Sequence, residues 1–302
     1  MSPFFSALIF YYYFSSMQTP EGLTDLLTLK QLDATTFEGE NYQTVWKRVY
    51  GGQVLAQSLH AANQTVPDDR QVHSLHGYFI LPGDIKTSIE YKVEALRDGG
   101  SFSTRRVTAY QNGKAMFVLA ACFQIQQEAL DQHLKSPAAA APEDLISDAE
   151  LLNTTDDVSD RIKLYLLARH PFAFEFRPEK DYSHKISPEE NRNVWFKLKK
   201  ETQLNPQQQQ EFLAYAVDYD LLVMSVISHY QNEFAQPLQV ASLDNAMWFH
   251  REFDVNEWLL FSMDSPNVSG ARCLGKGSIF DRRGNLVATV IQEGLARPYK
   301  LD

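Results

Sequence analysis

The feature that most restricts this chain is that its second half echoes its first. Ser242-Leu243-Asp244 lies 50 residues before Gln292-Glu293-Gly294, and Ser74-Leu75-His76 lies 50 residues before Gln124. Registering the halves at Ser74 and Ser242 gives an offset of 168, at Arg105 and Arg272 one of 167, and at Gly113 and Gly284 one of 171. Small loop insertions account for that drift. A repeat of well over about 100 residues is too long for a solenoid unit of about 20–50, so a duplicated small domain is the better reading.

Each copy reads as a helix followed by an antiparallel sheet. Residues 23–32 carry Leu23, Leu26, Leu27, Leu29 and Leu32 at amphipathic helical spacing. A strand-like stretch over 44–50 leads through Gly51-Gly52 into an Ala- and Leu-rich helix over 53–63. Strand-like runs follow near 72–81, 87–97, 101–111 and 115–126, and Asn112-Gly113 is the strongest hairpin signal in the chain. Small residues and two prolines from Ser136 to Asp144 mark a surface linker. A helix is expected over 156–168, mixed strand-like text over 170–202, a second long helix over 207–229, and strands near 239–250, 256–263, 268–280 and 285–293. The division is therefore an extension at 1–16, a first unit at 17–135, a linker at 136–150 and a second unit at 151–302.

Several classes are disfavoured by composition. A formal charge of -10 and the lack of any Lys/Arg run argue against nucleic acid as a partner. Two cysteines, Cys122 and Cys273, make no disulfide scaffold and fit a reducing compartment. The apolar run from Phe4 to Phe14 is 11 residues, short of the roughly 20 a bilayer needs. It also lacks the basic start of a secretory signal. No stable membrane insertion is expected, and the polar text from Met17 suggests that 1–16 is an upstream mis-start. Lys300-Leu301-Asp302 does not match a Ser-Lys-Leu peroxisomal address, so the cytoplasm is the expected compartment.

Phe212 to Ile227 leaves almost no polar face, so that helix should be buried on most sides. Asp218 and Asp220 sit inside it, pointing about 200° apart. Burying an unpaired carboxylate costs several kcal/mol, so one of them needs hydrogen-bond partners, and those partners define a polar spot in an apolar cleft. The bland alternative is that either Asp reaches solvent or caps a loop. Ser242 and Asp244, two apart on one strand, are expected on one face, and Gln292 closes an apolar run. His73 and His76 are three apart on a strand and read as core or rim residues, since nothing completes a metal set. The G-x-S-x-G elbow, the P-loop and G-x-G-x-x-G are missing. Neither metal nor cofactor is expected.

Val49-Tyr50-Gly51-Gly52-Gln53, His73-Ser74-Leu75-His76-Gly77-Tyr78-Phe79, Pro82-Gly83-Asp84, Leu96-Arg97-Asp98-Gly99, Phe102-Ser103-Thr104-Arg105-Arg106, Ser242-Leu243-Asp244, Met247-Trp248-Phe249-His250 and Gln292-Glu293-Gly294 resemble the acyl-CoA thioesterase II family. The resemblance runs from about Leu23 to Pro298. It implies an α+β double hotdog fold, hydrolysis of fatty acyl-CoA to fatty acid and CoA, and pairing of subunits into a homodimer or homotetramer. It places the family's water-holding Asp, hydroxyl and Gln on Asp218, Ser242 and Gln292. The hydroxyl is Ser where some members have Thr, which retains the function of the group. Gly52 and Gln53, at a helix start, are candidates for stabilising an oxyanion. His76 and Arg105 are candidates for touching substrate, and Arg97, Arg105 and Arg106 for meeting the CoA phosphates. Two rivals are a hotdog acyl-CoA hydratase or dehydratase, which needs a histidine paired with a carboxylate near the central helix, and a non-catalytic acyl-CoA-binding module. N-terminal sequencing of the native product is expected to begin at Met17, and a chain starting at Met1 and embedded in membrane would refute the mis-start.

Overall fold

The computed structural model describes residues 19–42, 47–154, 173–180, 191–218, 221–230 and 238–298. The extension at 1–16, the helix expected at 156–168 and Asp220 lie outside that set. Helix α1 (Pro20–Leu27) starts at Thr19, whose side chain accepts from the Gly22 amide, and stops where Thr28 turns extended. It is shorter than the helix expected over 23–32 because the chain passes at once into β1 (Lys30–Gln31) and β2 (Thr36–Gly39). Of the strand expected over 44–50, residues 47–50 form none, and Lys47 has φ 54, which no strand accommodates.

Helix α2 (Gly51–Asn63) then lies on β3 (Arg70–Phe79), β4 (Ile89–Asp98), β5 (Phe102–Gln111) and β6 (Lys114–Ile125). The hairpin between β5 and β6 turns on Asn112 and Gly113, both with positive φ, as the Asn-Gly signal requires. The expected linker, with a short 3-10 turn at Pro142–Asp144, is laid on the second unit. Trp195 Nε1 donates to the Ala140 carbonyl at 2.9 Å, and Arg177 Nη1 to that of Pro142 at 2.8 Å. After α3 (Asp148–Thr154) come β7 (Phe174–Pro178) and β8 (Arg192–Leu198).

The long helix expected over 207–229 is two: α4 (Pro206–Val217) and α5 (Leu221–Tyr230), with Asp218 as the C-cap of the first. Pro206 at its first turn and the Asn205–Gln208 capping box set the start of α4. Strands β9 (Leu238–Ser242), β10 (Asp244–Phe249), β11 (Leu259–Ser269), β12 (Arg272–Phe280) and β13 (Leu286–Pro298) complete the second unit.

All thirteen described strands form one antiparallel sheet in the order β1-β2-β4-β5-β6-β3-β10-β13-β12-β11-β8-β7, with β9 on β13. The order reads the same from either end if each first-unit strand is exchanged for its second-unit counterpart, and the pseudo-two-fold lies at the β3–β10 seam. Hydrogen bonds fix the register of the repeat. Ile80 and Leu81 amides both donate to Met116 O, as those of His250 and Arg251 do to Val287 O. Thr87 donates to Asp84 O as Glu257 does to Asp254 O, and Gly51 and Leu221 both open helices. These pairs lie 170 or 171 apart, which corrects the offset of 168 read at Ser74. Structurally, Ser242 answers to Val72, Gln292 to Ala121 and Asp218 to Arg48, so the Ser74–Gln124 echo is not a second set of the same groups.

The core lies between the helices and one face of this sheet, and α2 and α4 meet inside it. Buried Glu211 of α4 takes a hydrogen bond from Asn63 Nδ2 at 2.6 Å and lies 3.1 Å from His60 Nδ1, joining the two units. Replacing Glu211 by Ala strands both partners, and a loss of about 2–4 kcal/mol of stability is expected in urea denaturation.

Candidate active site

Asp218 closes α4 beside the first turn of α2, where the two units meet. Its Oδ1 accepts from Gln292 Nε2 at 2.5 Å, and the same Nε2 donates to Ser242 Oγ at 3.1 Å. A carboxamide has two N–H groups, and both are used here. Gln292 is fully buried on β13, so its orientation is held by packing as well as by these bonds. Asp218 keeps some exposed surface, but its carboxyl is enclosed. That desolvation dominates and pushes its pKa up to about 7, against the opposing hydrogen bonds from Gln292 and the Gly52 amide.

Glycine is needed where α2 begins. A Cβ on Gly51 would lie 2.6 Å from Asp218 Oδ2, and one on Gly52 would lie 2.4 Å from the Tyr215 carbonyl. Tyr50 fixes the same contact from the side, donating its hydroxyl to Tyr215 O at 2.9 Å, with the two rings edge to face. The Gln53 and Val54 amides bond back to Tyr50 O, whereas the Gly51 and Gly52 amides precede any intrahelical acceptor.

Ser242 reaches this cluster by a route that simple alternation misses. The strand expected over 239–250 is broken at Leu243, whose amide donates to Glu293 O. The extra residue inverts the alternation, as the irregularity between Val72 and Ser74 does in the first unit. Ser242 therefore does not share a face with Asp244. Asp244 Oδ1 instead accepts from the Glu293 amide at 2.7 Å, and burial raises its pKa.

The remaining candidates fall outside the cluster. The Gln53 side chain is occupied in the core: Oε1 accepts from Tyr42 N at 3.0 Å, and Nε2 donates to Glu40 O and Asn41 Oδ1. With its amide also bonded, Gln53 is not an oxyanion donor. His76 is exposed on the opposite face of β3 and rests edge-on against Trp248, because alternation turns it away from buried Leu75. Arg105 is 2% exposed, with its guanidinium bonded to Thr65 O, Arg97 O and both Asp98 oxygens, so it cannot meet a phosphate. Arg106 is exposed but paired through two nitrogens with Glu94, and Arg97 is exposed. Tyr50, Tyr215 and Gly51 were not singled out by the sequence, although the Tyr50-Gly51-Gly52 text carried part of the resemblance.

The raised pKa has a sign that can be tested. Folding favours the neutral carboxyl, so the contribution of Asp218 to stability falls as pH rises from about 3.8 through about 7 and is level above that. Asp218→Asn removes the penalty. At pH 8 the variant is expected to be more stable than the parent in urea denaturation, by at most about 4 kcal/mol, with the gap closing towards pH 4.

The family described as acyl-CoA thioesterase matches residues 167–295, and the acyl-CoA thioesterase N-terminal domain matches residues 40–124. Acyl-CoA thioesterase 2 of Haemophilus influenzae is 35% identical over 91% of this chain and 96% of its own length. Acyl-coenzyme A thioesterase 8 of Homo sapiens is 34% identical over 91% of this chain and 88% of its own. A crystal structure of an acyl-CoA thioesterase II from Mycobacterium marinum superposes with a TM-score of 0.77 at 36% identity, covering 92% of this chain and 99% of that one.

Proposed function

This chain belongs to the acyl-CoA thioesterase family and is a thioester hydrolase with the double hotdog fold, and from that premise we propose that Asp218, Ser242 and Gln292 are its catalytic groups and that water attacks the thioester directly. The observation that carries this reading is one buried carboxamide that joins an enclosed carboxylate and a hydroxyl at the start of α2. Gln292 spends both N–H groups on Asp218 Oδ1 and Ser242 Oγ, so it acts as a clamp. The water lies at Asp218 Oδ2 and accepts or donates a hydrogen bond with the Ser242 hydroxyl. This differs from the sequence reading, in which Gln292 itself held the water.

Asp218 takes a proton from that water as its oxygen adds to the thioester carbonyl. The Gly52 amide is taken by Asp218, so the oxyanion forms against the Gly51 amide that opens α2, where the helix dipole favours negative charge. The intermediate then collapses, the C–S bond breaks, and the proton held by Asp218 passes to the departing CoA sulfur. No acyl-enzyme forms. A carboxyl titrating near 7 suits a general base at neutral pH, because its ionised form is both populated and basic.

A hydratase would use a histidine and carboxylate at the cleft. The His–carboxylate pair among the described residues, His60 with Glu211, lies nine residues along α2 from Gly51, about 13 Å away. Fatty acyl-CoA is the proposed substrate. A cytoplasmic homo-oligomer is proposed with it, supported by the free thiols Cys122 and Cys273 and the exposed Tyr78, Ile80 and Leu81. None of the helices among the described residues is long and apolar enough to cross a membrane. We also propose the division near 136–150 as the join between the duplicated units.

The protein is expected to release free CoA thiol from palmitoyl-CoA, read with a thiol reagent, with kcat/KM rising with pH through about 7. Asp218→Asn should lose about 10²–10⁴ in kcat while remaining folded. Near-normal turnover by that variant rejects the assignment, and turnover of an enoyl-CoA without thiol release would favour the hydratase.

A further inference from the structure

One side chain beside this cluster has no part in the mechanism above. Asn245 stands on β10 one step beyond the paired residues Ala246 and Ile291, which sets it across from Gln292. Burial agrees with that register: Asn245, Met247 and Phe249 are the buried positions of β10, and Ala288, Val290 and Gln292 are buried on the facing strand. Cross-strand neighbours on one face have Cβ atoms about 4.5–5.5 Å apart, within reach of two carboxamides. Asn245 is 1% exposed and Gln292 0%. Nevertheless Asn245 Nδ2, Asn245 Oδ1 and Gln292 Oε1 have no hydrogen-bond partner among the described residues. Buried polar atoms are almost always paired, so unpaired ones on the same face of neighbouring strands, one of them on the carboxamide bonded to Asp218, mark a contact that belongs to the working site.

We propose that Asn245 is a positioning residue for hydrolysis: its Nδ2 donates to Gln292 Oε1, directly or through one water, and so fixes which face of the Gln292 carboxamide is turned to Asp218 and Ser242. The inference rests on the reading of Asp218 as general base. Its logic lies in what a free carboxamide would do. Ionised Asp218 wants the N–H side of Gln292, but protonated Asp218 can donate to the carbonyl side. A Gln292 able to turn over would stabilise the protonated, inactive form and make the base harder to ionise. Occupying Oε1 from the Asn245 side removes that option.

Among the described residues, the groups facing Asp218 are few. They are the Gln292 carboxamide from β13 and the Gly52 amide from α2, with Gly51 close to Oδ2. None of these side chains is a charged group. Asp244, the carboxyl of β10, is bonded to the Glu293 amide at the start of that strand.

The test is the pH profile of kcat/KM for palmitoyl-CoA, with thermal unfolding of each variant as a check on folding. Asn245→Leu, close in size and without a donor, should turn over about 10-fold more slowly, with its acid limb moved up by about 0.5–1 pH unit. In a Gln292→Ala background the same substitution should change nothing further, since the group it orients is gone. If Asn245→Leu does not fold, Asn245→Asp keeps the shape of the side chain. Its carboxylate repels Oε1 and should move the acid limb further up. A folded variant whose acid limb stays at the parental pH, or whose effect adds in full to Gln292→Ala, overturns the inference and leaves Asn245 as packing. Parental activity in Asp218→Asn would overturn the base assignment as well, whereas an inactive Asp218→Asn with an unmoved limb in the Asn245 variants sinks this inference alone.

Discussion

A single carboxylate enclosed by protein sets the terms for much of this structure. Ionising Asp218 in that surrounding is costly, and among the described residues the cost is offset by donors held in place by neighbouring elements: Gln292 from β13 and the Gly52 amide from α2. Each donor fixes something larger. For α2 to present its first amides so close to Asp218 it must begin with two glycines, because any side chain there would meet the carboxylate or the Tyr215 carbonyl. For Gln292 to reach both Asp218 and Ser242 it must be buried on a central strand, and β13 lies next to the seam in the sheet order. Helix, strand and seam therefore answer to one electrostatic requirement.

The break at Leu243 is the second constraint. An uninterrupted strand would have sent Ser242 and Gln292 to different faces, whereas one unpaired residue rotates the serine onto the face of Gln292. The first unit has a related irregularity at His73 but carries Val72 at the position of Ser242, Ala121 at that of Gln292 and Arg48 at that of Asp218. The scaffold is thus twofold in its backbone and onefold in its chemistry. That contrast explains why the repeat is clear in hydrogen bonds and turns yet faint in residue identities.

Much of this was legible in the sequence. The first-unit strands were placed within a few residues, because alternation and the Asn112-Gly113 turn are local signals. Asp218, Ser242 and Gln292 could be named through the resemblance, and the structure brings the three together. What could not be read depends on tertiary context. The interruption of the helix at Asp218 is hidden in an apolar run that suits a helix throughout. The seam joins residues about 170 apart, which no local pattern records. Arg105 reads in the sequence as a candidate for substrate and the CoA phosphates because its partners, Thr65 and Asp98, come from other elements. Face assignments failed beyond Leu243 because period two cannot foresee an inserted residue. Read with the correct parity, Asn245 would have stood out as the polar member of an otherwise apolar set with Met247 and Phe249.

The cleft takes Tyr50, Gly51 and Gly52 from one unit and Asp218, Ser242 and Gln292 from the other, and both units are held on a single polypeptide. Had the two halves been separate subunits, this cleft would come apart on dilution and could be rebuilt with a mismatched mate. The tether removes both hazards, since each half always meets the other at a high and constant effective concentration. It also frees the half without the carboxylate to drift in sequence, because a substitution there is made once and is never mirrored into the working side.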